Sequence, residues 1–128
     1  MPTLTPVMTR AAEGDIAILR LRSSHLALDK DQPSLIETTE YLVTRVTQVT
    51  RRGAVAAVED PRFDYDGAPL RLEHVAGVEQ IFVIPSARID VEAALAVARA
   101  HTLPGTTTPA PYATLNEVRE AINRFRHR

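Results

Sequence analysis

The sequence predicts an α+β fold in which a small β-barrel of about five antiparallel strands precedes two C-terminal helices. Up to Pro85, short segments rich in Val, Ile, Leu and Thr alternate with clusters of turn-forming residues, as expected for strands joined by hairpins. After Pro85 the apolar residues recur at helical spacing instead. The strands and the helices therefore occupy separate parts of the chain.

Length and composition indicate an ordinary globular protein. The 128 residues are enough for a single domain with a normal core, and 45% hydrophobic with 24% charged residues argues against wholesale disorder. The net charge of -1 gives the molecule no overall bias toward nucleic acid. Because the chain lacks cysteine, a signal-peptide pattern and an apolar run of membrane-spanning length, we expect a cytoplasmic protein without membrane contact.

We expect one domain over residues 1–128, with three parts. These parts are a loose N-terminal arm (1–13), the β-barrel (14–85) and a helical appendage (86–128). In the barrel, residues 15–22 alternate as a first strand, and the polar stretch 23–34 is typical of a loop. We expect two apolar residues of that loop, Leu26 and Leu28, to pin it to the core.

The stretch from Glu37 to Glu59 predicts a long strand, a tight turn at Arg51-Arg52-Gly53 and a shorter return strand. Its many Thr and Val residues suit a pleated surface, and a glycine supplies the left-handed conformation that a three-residue hairpin loop needs. A helix over residues 34–52 is the alternative, since Ser and Glu at its start match a capping box. The change of apolar phase between Val43 and Val46 indicates a bulge or sharp bend.

Residues 70–75 and 79–84 predict a second hairpin across Ala76-Gly77-Val78. Two helices follow: Asp90 caps the first, which runs to about His101, and a capping box of Thr114 with Glu117 opens the second. The Pro- and Thr-rich residues between the helices are expected to be an extended linker. Several arginines in the later turns of the last helix suit its dipole, namely Arg119, Arg124, Arg126 and Arg128.

Gly14-Asp15-Ile16 and the Arg-Arg-Gly hairpin resemble the corresponding parts of an SH3-like barrel. The chain also resembles a group of small proteins of actinobacteria and their mobile elements. This resemblance covers much of the chain from residue 46 on, in the segments 46–55, 89–95 with 100–105, and 115–119. It implies the barrel fold and a mobile-element setting, and it implies no activity and no functional residue.

No chemical motif points to catalysis. A nucleophile elbow, a phosphate-binding glycine loop, a dinucleotide fingerprint and a helical zinc motif are all absent from the sequence, so we predict no catalytic residue and no cofactor. Asp64, Asp66, Gly67 and Glu73 partly match a calcium loop, but Arg62 occupies its first ligand position. The four histidines lack ligand spacing, so we predict no metal site.

The strongest candidate binding residues are arginines at the central hairpin. Arg45, Arg51 and Arg52 form a basic cluster, and Tyr65 with other nearby aromatic residues offers stacking surfaces for bases. Because the overall charge is close to neutral, a solvated hairpin tip is the simpler interpretation of the arginines.

We therefore predict a non-catalytic barrel that acts through protein–protein contacts, as an accessory factor of a mobile element. Nucleic-acid binding through the arginine hairpin is the alternative hypothesis, and an enzyme assembled from separate loops is a third. The residues do not indicate an oligomeric state.

Overall fold

The computed structural model of the chain describes residues 10–29, 32–60, 69–108 and 110–127. Its strands are β1 (Ile16–Asp29), β2 (Gln32–Val49), β3 (Val55–Glu59), β4 (Pro69–Arg71) and β5 (Val78–Ile84). Its helices are α1 (Val91–Arg99) and α2 (Leu115–Ile122). The strands form one antiparallel sheet in the order β4-β3-β2-β1-β5, which agrees with the predicted α+β class and the two C-terminal helices.

The predicted barrel is not confirmed, because β4 and β5 form the two edges of the sheet and do not close it. The predicted hairpin between residues 70–75 and 79–84 is wrong. β4 pairs with β3, while β5 lies at the opposite edge and pairs with β1. The two segments are close in sequence, but the apolar residues of β5 pack with those of β1 in the core.

The inner halves of β1 and β2 are buried on both faces, and this explains the shift in apolar phase along β2. One face packs against α1 and α2 and includes Ile18 and Val43. The other face holds Leu19 and Val46, which belong to a second core cluster. Alternate residues of one strand therefore enter different cores. The bulge predicted between Val43 and Val46 lies slightly later, where the β2–β3 register shifts on either side of Gln48.

The central hairpin is confirmed, and residues 34–52 form a strand and turn rather than a helix. Gly53 adopts the left-handed conformation with φ of 80°, and the Thr50 N–H donates to the Ala54 carbonyl at 2.8 Å. The Thr50 hydroxyl also accepts from the Ala54 N–H at 3.1 Å. These bonds make the turn a compact, well-defined end of the sheet.

The residues just before β1 contact the sheet through Ala11, while residues 1–9 of the predicted arm lie outside the described residues. Ala11 is buried and donates its N–H to the Gly53 carbonyl at 2.7 Å. The buried Asp15 carboxylate accepts from the N–H groups of Ala12 at 2.9 Å and Ser86 at 2.8 Å. This carboxylate ties the start of β1 to the end of β5, two points far apart in sequence.

The capping predictions for both helices are confirmed. The Asp90 side chain accepts from the Ala93 N–H at 3.2 Å, and Thr114 accepts from Glu117 at 3.1 Å. The linker between the helices is not simply extended, because the Leu103 N–H donates back to Thr108 at 3.0 Å. No helix within the described ranges is long and apolar enough to cross a bilayer.

Candidate functional site

The arginines of the predicted basic cluster do not form one surface. Arg45 lies on the helix-covered face of β2, where it forms ion pairs with Glu59 at 3.8 Å and with Glu92. Arg51 and Arg52 are exposed at the β2–β3 turn, and no carboxylate in the described segments lies within ion-pair distance of them. The structure thus separates Arg45, which is paired with carboxylates, from two arginines that pair with no carboxylate of the described residues.

The aromatic partners proposed for these arginines are only partly described. Tyr41 is buried, and its backbone pairs with Tyr112 through two hydrogen bonds of 2.8 and 2.9 Å. Tyr65 lies outside the described residues, as do the central residues of the calcium-loop pattern. Arg10, which the sequence did not single out, packs its side chain beside Gly53. No local pattern links it to a turn some forty positions later.

The main correction concerns residues 23–34, which were predicted to form a loop. Apart from residues 30–31, which lie outside the described residues, they form the outer halves of β1 and β2, paired from Ser23↔Thr38 to Asp29↔Gln32. We call residues 23–29 and 32–38 the distal arm. At about 3.4 Å per residue, the seven pairs extend about 24 Å.

The distal arm stands alone as a two-stranded ribbon. β5 pairs with β1 only as far as Leu21, and β3 pairs with β2 only from Val46 onward. Within the described part of the chain, no third strand lies beside the arm. A ribbon of two strands is marginally stable in water, and its unpaired N–H and C=O groups can pair with another chain.

One face of the distal arm is strongly apolar. Leu26 is directly opposite Leu35, and the next pair on that face is Leu28 with Pro33. The three leucines are 70%, 65% and 86% exposed for residues 26, 35 and 28 respectively. The prediction that Leu26 and Leu28 pin a loop to the core is therefore wrong, because they lie beyond the reach of either core cluster.

Charged residues are absent from the middle of this surface, and Asp29 stands at the outer end of β1. Residues 24–28 and 32–36 contain no Asp, Glu, Lys or Arg. At the base, Arg22 and Glu37 form an ion pair of 2.7 Å across the two strands. The hydrogen bond to Glu37, together with the charges of Glu37 and Glu79, raises the pKa of the Arg22 guanidinium. The ion pair of Arg22 with Glu37 thus separates the sheet from a stretch of the arm that has no charged residue.

The described residues offer little to a metal ion. Across those residues, no group of three or more His, Asp or Glu side chains is placed to bind one. His101 instead stacks on Tyr112 with ring centroids 4.0 Å apart, and its Nδ1 lies 3.0 Å from the Ala110 carbonyl. His101 therefore has a structural role, because it holds the start of the linker between α1 and α2 against the end of that linker.

Comparison with known proteins returned no match to a family model, to a curated protein or to a solved structure. The resemblance drawn from the sequence therefore has no relative to test it. The function must be argued from the geometry of the described residues.

Proposed function

We propose that this protein is a non-catalytic binding module that inserts the distal arm into a groove of another protein. The observation that carries the proposal is the exposure of three leucines on one uncharged face of an isolated ribbon. Burying a leucine side chain contributes about 1.5–3 kcal/mol, so a partner that covers this face gains substantial binding energy. An accessory role in a mobile element rests on the resemblance alone and stays a prediction.

The size of the distal arm favours a groove over a flat partner. A ribbon about 24 Å long and about 10 Å wide offers roughly 240 Å² on one face, so two copies packed face to face bury roughly 500 Å² in total. Stable interfaces bury about 1,200–2,000 Å². A groove that encloses both faces and both edges of the arm buries roughly 900 Å² of the surface of the arm alone. We therefore assign the arm to a different protein rather than to a second copy.

The first test compares two leucines that are both exposed. Leu28→Ser changes the arm, and Leu103→Ser changes a residue that is 49% exposed and lies outside it. Proteins captured from the source lysate by the wild type, and lost with Leu28→Ser, are purified and titrated by calorimetry. We expect Leu28→Ser to weaken binding about tenfold or more, because it removes one buried leucine from the interface.

Binding to the same partner should be unchanged for Leu103→Ser, and light scattering should show a monomer for all three proteins. A set of captured proteins that is identical for both variants contradicts the proposal. A dimer that dissociates on Leu28→Ser would show that the arm binds a second copy, which also contradicts it.

The β2–β3 turn supports a second candidate, nucleic-acid binding. Arg10, Arg51 and Arg52 are all exposed at this end of the sheet. Three such cations match a phosphate backbone, although the net charge of -1 gives no long-range attraction. This candidate ranks second, because Arg45 is already paired with carboxylates and Tyr41 is buried.

Fluorescence polarisation with labelled single- and double-stranded DNA and RNA tests this candidate. If it is correct, affinity falls steeply with salt, and Arg51→Ala with Arg52→Ala reduces the logarithmic salt slope by about 2. Arg71→Ala with Arg124→Ala removes the same charge elsewhere and should leave the slope unchanged. Absence of binding at low salt, or a slope that is the same for both double variants, rejects the candidate.

A further inference from the structure

A cleft of about 620 Å³ lies between β5 and α2, on the helix-covered side of the sheet. Residues 82–85, which are consecutive, all line it. Three of them belong to β5, and because side chains of successive strand residues alternate between the faces of the sheet, a cleft lined by all three includes strand backbone. The cleft therefore gives access to backbone as well as to side chains.

The floor of the cleft is the margin of the helix-covered core. It includes Ile18, Ile84 and Ile122, which are buried, and the half-buried Phe82 and Leu115 that pack against them. This floor offers apolar contact to a ligand without any rearrangement of the sheet. The volume lies within the range of about 300–1,000 Å³ that is usual for binding clefts.

The rim of the cleft is basic. Arg88, Arg119 and Arg126 line it, all three are exposed, and none of the lining residues is acidic. Two of these arginines are held together by the backbone, since Arg126 pairs with Ile89 and the His127 N–H donates to the Arg88 carbonyl at 2.8 Å. Within the described ranges no carboxylate forms an ion pair with any of the three.

β5 is also an edge strand. It pairs with β1 on one side, and no other strand of the described segments lies on its outer side. Alternate residues of such a strand direct their N–H and C=O groups outward, where an added strand can bind them. An open strand edge, an apolar floor and a basic rim thus meet in one place.

We propose that this cleft binds an extended acidic segment of another polypeptide, which adds beside β5 as a further strand. Its backbone pairs with the open edge of β5, its apolar side chains lie on the floor, and its carboxylates face the three arginines. Alternation of acidic and apolar residues is the pattern that satisfies both requirements, because side chains of a strand alternate. This site is separate from the distal arm and does not depend on the function proposed for it.

The test uses a fluorescein-labelled decapeptide in which Glu and Val alternate. We expect saturable binding to the full chain, weakened about tenfold or more when Arg88, Arg119 and Arg126 are all replaced by Ala, since three charge-assisted contacts are lost. The control replaces Arg10, Arg51 and Arg52 by Ala, which removes the same charge from the β2–β3 turn. Circular dichroism checks that both triple variants fold.

Two further probes separate strand addition from other modes of binding. A decapeptide that is N-methylated at alternate residues lacks the donors on one edge, and we expect its binding to be lost. Amide hydrogen exchange should show added protection in β5 when the unmodified peptide is bound. Decanoate, a small amphipathic anion, serves as a competitor.

The proposal is overturned if the peptide does not bind, or if both triple variants weaken binding equally. It is also overturned if the N-methylated peptide binds as well as the unmodified one, because strand pairing is then not involved. Displacement by decanoate without any change in exchange at β5 would instead indicate a site for small amphipathic anions.

Discussion

Replacing Gly77 by alanine is expected to destabilise the fold by about 3 kcal/mol or more. Gly77 has φ of 79°, and a Cβ atom there would lie 2.2 Å from the carbonyl oxygen of Arg22. The Gly77 carbonyl also accepts from the Arg22 N–H at 2.8 Å. The new methyl group must therefore push the turn before β5 away from β1 and break this bond.

Thermal unfolding measures the effect, and Gly105→Ala is a matched control. Gly105 has φ of 74°, but apart from its chain neighbours no atom of the described residues lies within 4 Å of the position of its Cβ, so we expect alanine there to meet mainly the left-handed strain of about 1–2 kcal/mol. We expect the midpoint to fall by about 10 °C or more for Gly77→Ala, and by less than about 8 °C for Gly105→Ala. Equal decreases would show that the close approach of Gly77 to Arg22 is absent.

Leucine-to-alanine substitutions on β1 should differ sharply between the sheet and the distal arm. Leu19 is 0% exposed and packs in the second core cluster, whereas Leu26 is 70% exposed. We expect Leu19→Ala to lower the free energy of unfolding by about 2–5 kcal/mol, because it leaves a cavity. Leu26→Ala should lower it by less than about 0.5 kcal/mol, since it removes little buried surface.

Urea unfolding of the two variants tests this difference on a single strand. The result bears directly on function. If Leu26 adds nothing to the free energy of unfolding, its exposed side chain is explained by binding rather than by folding. Were Leu26→Ala as destabilising as Leu19→Ala, the arm would be part of the folded core and would not be free to enter a partner's groove.

The elements that could be predicted from the sequence depend on local signals. The turn at Gly53 needs one residue in the left-handed conformation, and the helix starts at Asp90 and Thr114 need one capping side chain each. The apolar stripes of α1 and α2 were also predicted, because helical periodicity is visible within a few residues. In each case the residues that decide the structure are neighbours in the chain.

The predictions that were wrong concern strand pairing between residues whose partners cannot be recognised from neighbouring residues. Residues 23–29 look like a polar loop until they are aligned with residues 32–38, and the register of that pairing extends from the first core pairs of β1 with β2. The partner of β5 was predicted as the nearest preceding segment, whereas burial of its apolar residues on both faces placed it beside β1. Pairing of this kind depends on the whole sheet and has no local signal.

The candidate surfaces divide in the same way. Several residues of the distal arm and of the cleft were singled out from the sequence, but in other roles. Leu26 and Leu28 were predicted to contact the core, and Arg119 and Arg126 were predicted to complement a helix dipole. The sequence by itself determined the α+β class, the central hairpin and the helix caps, because these follow from backbone preferences and short-range bonds. Only the tertiary structure decided which apolar residues stay exposed and which arginines meet at one cleft, because exposure and charge convergence depend on contacts between distant segments.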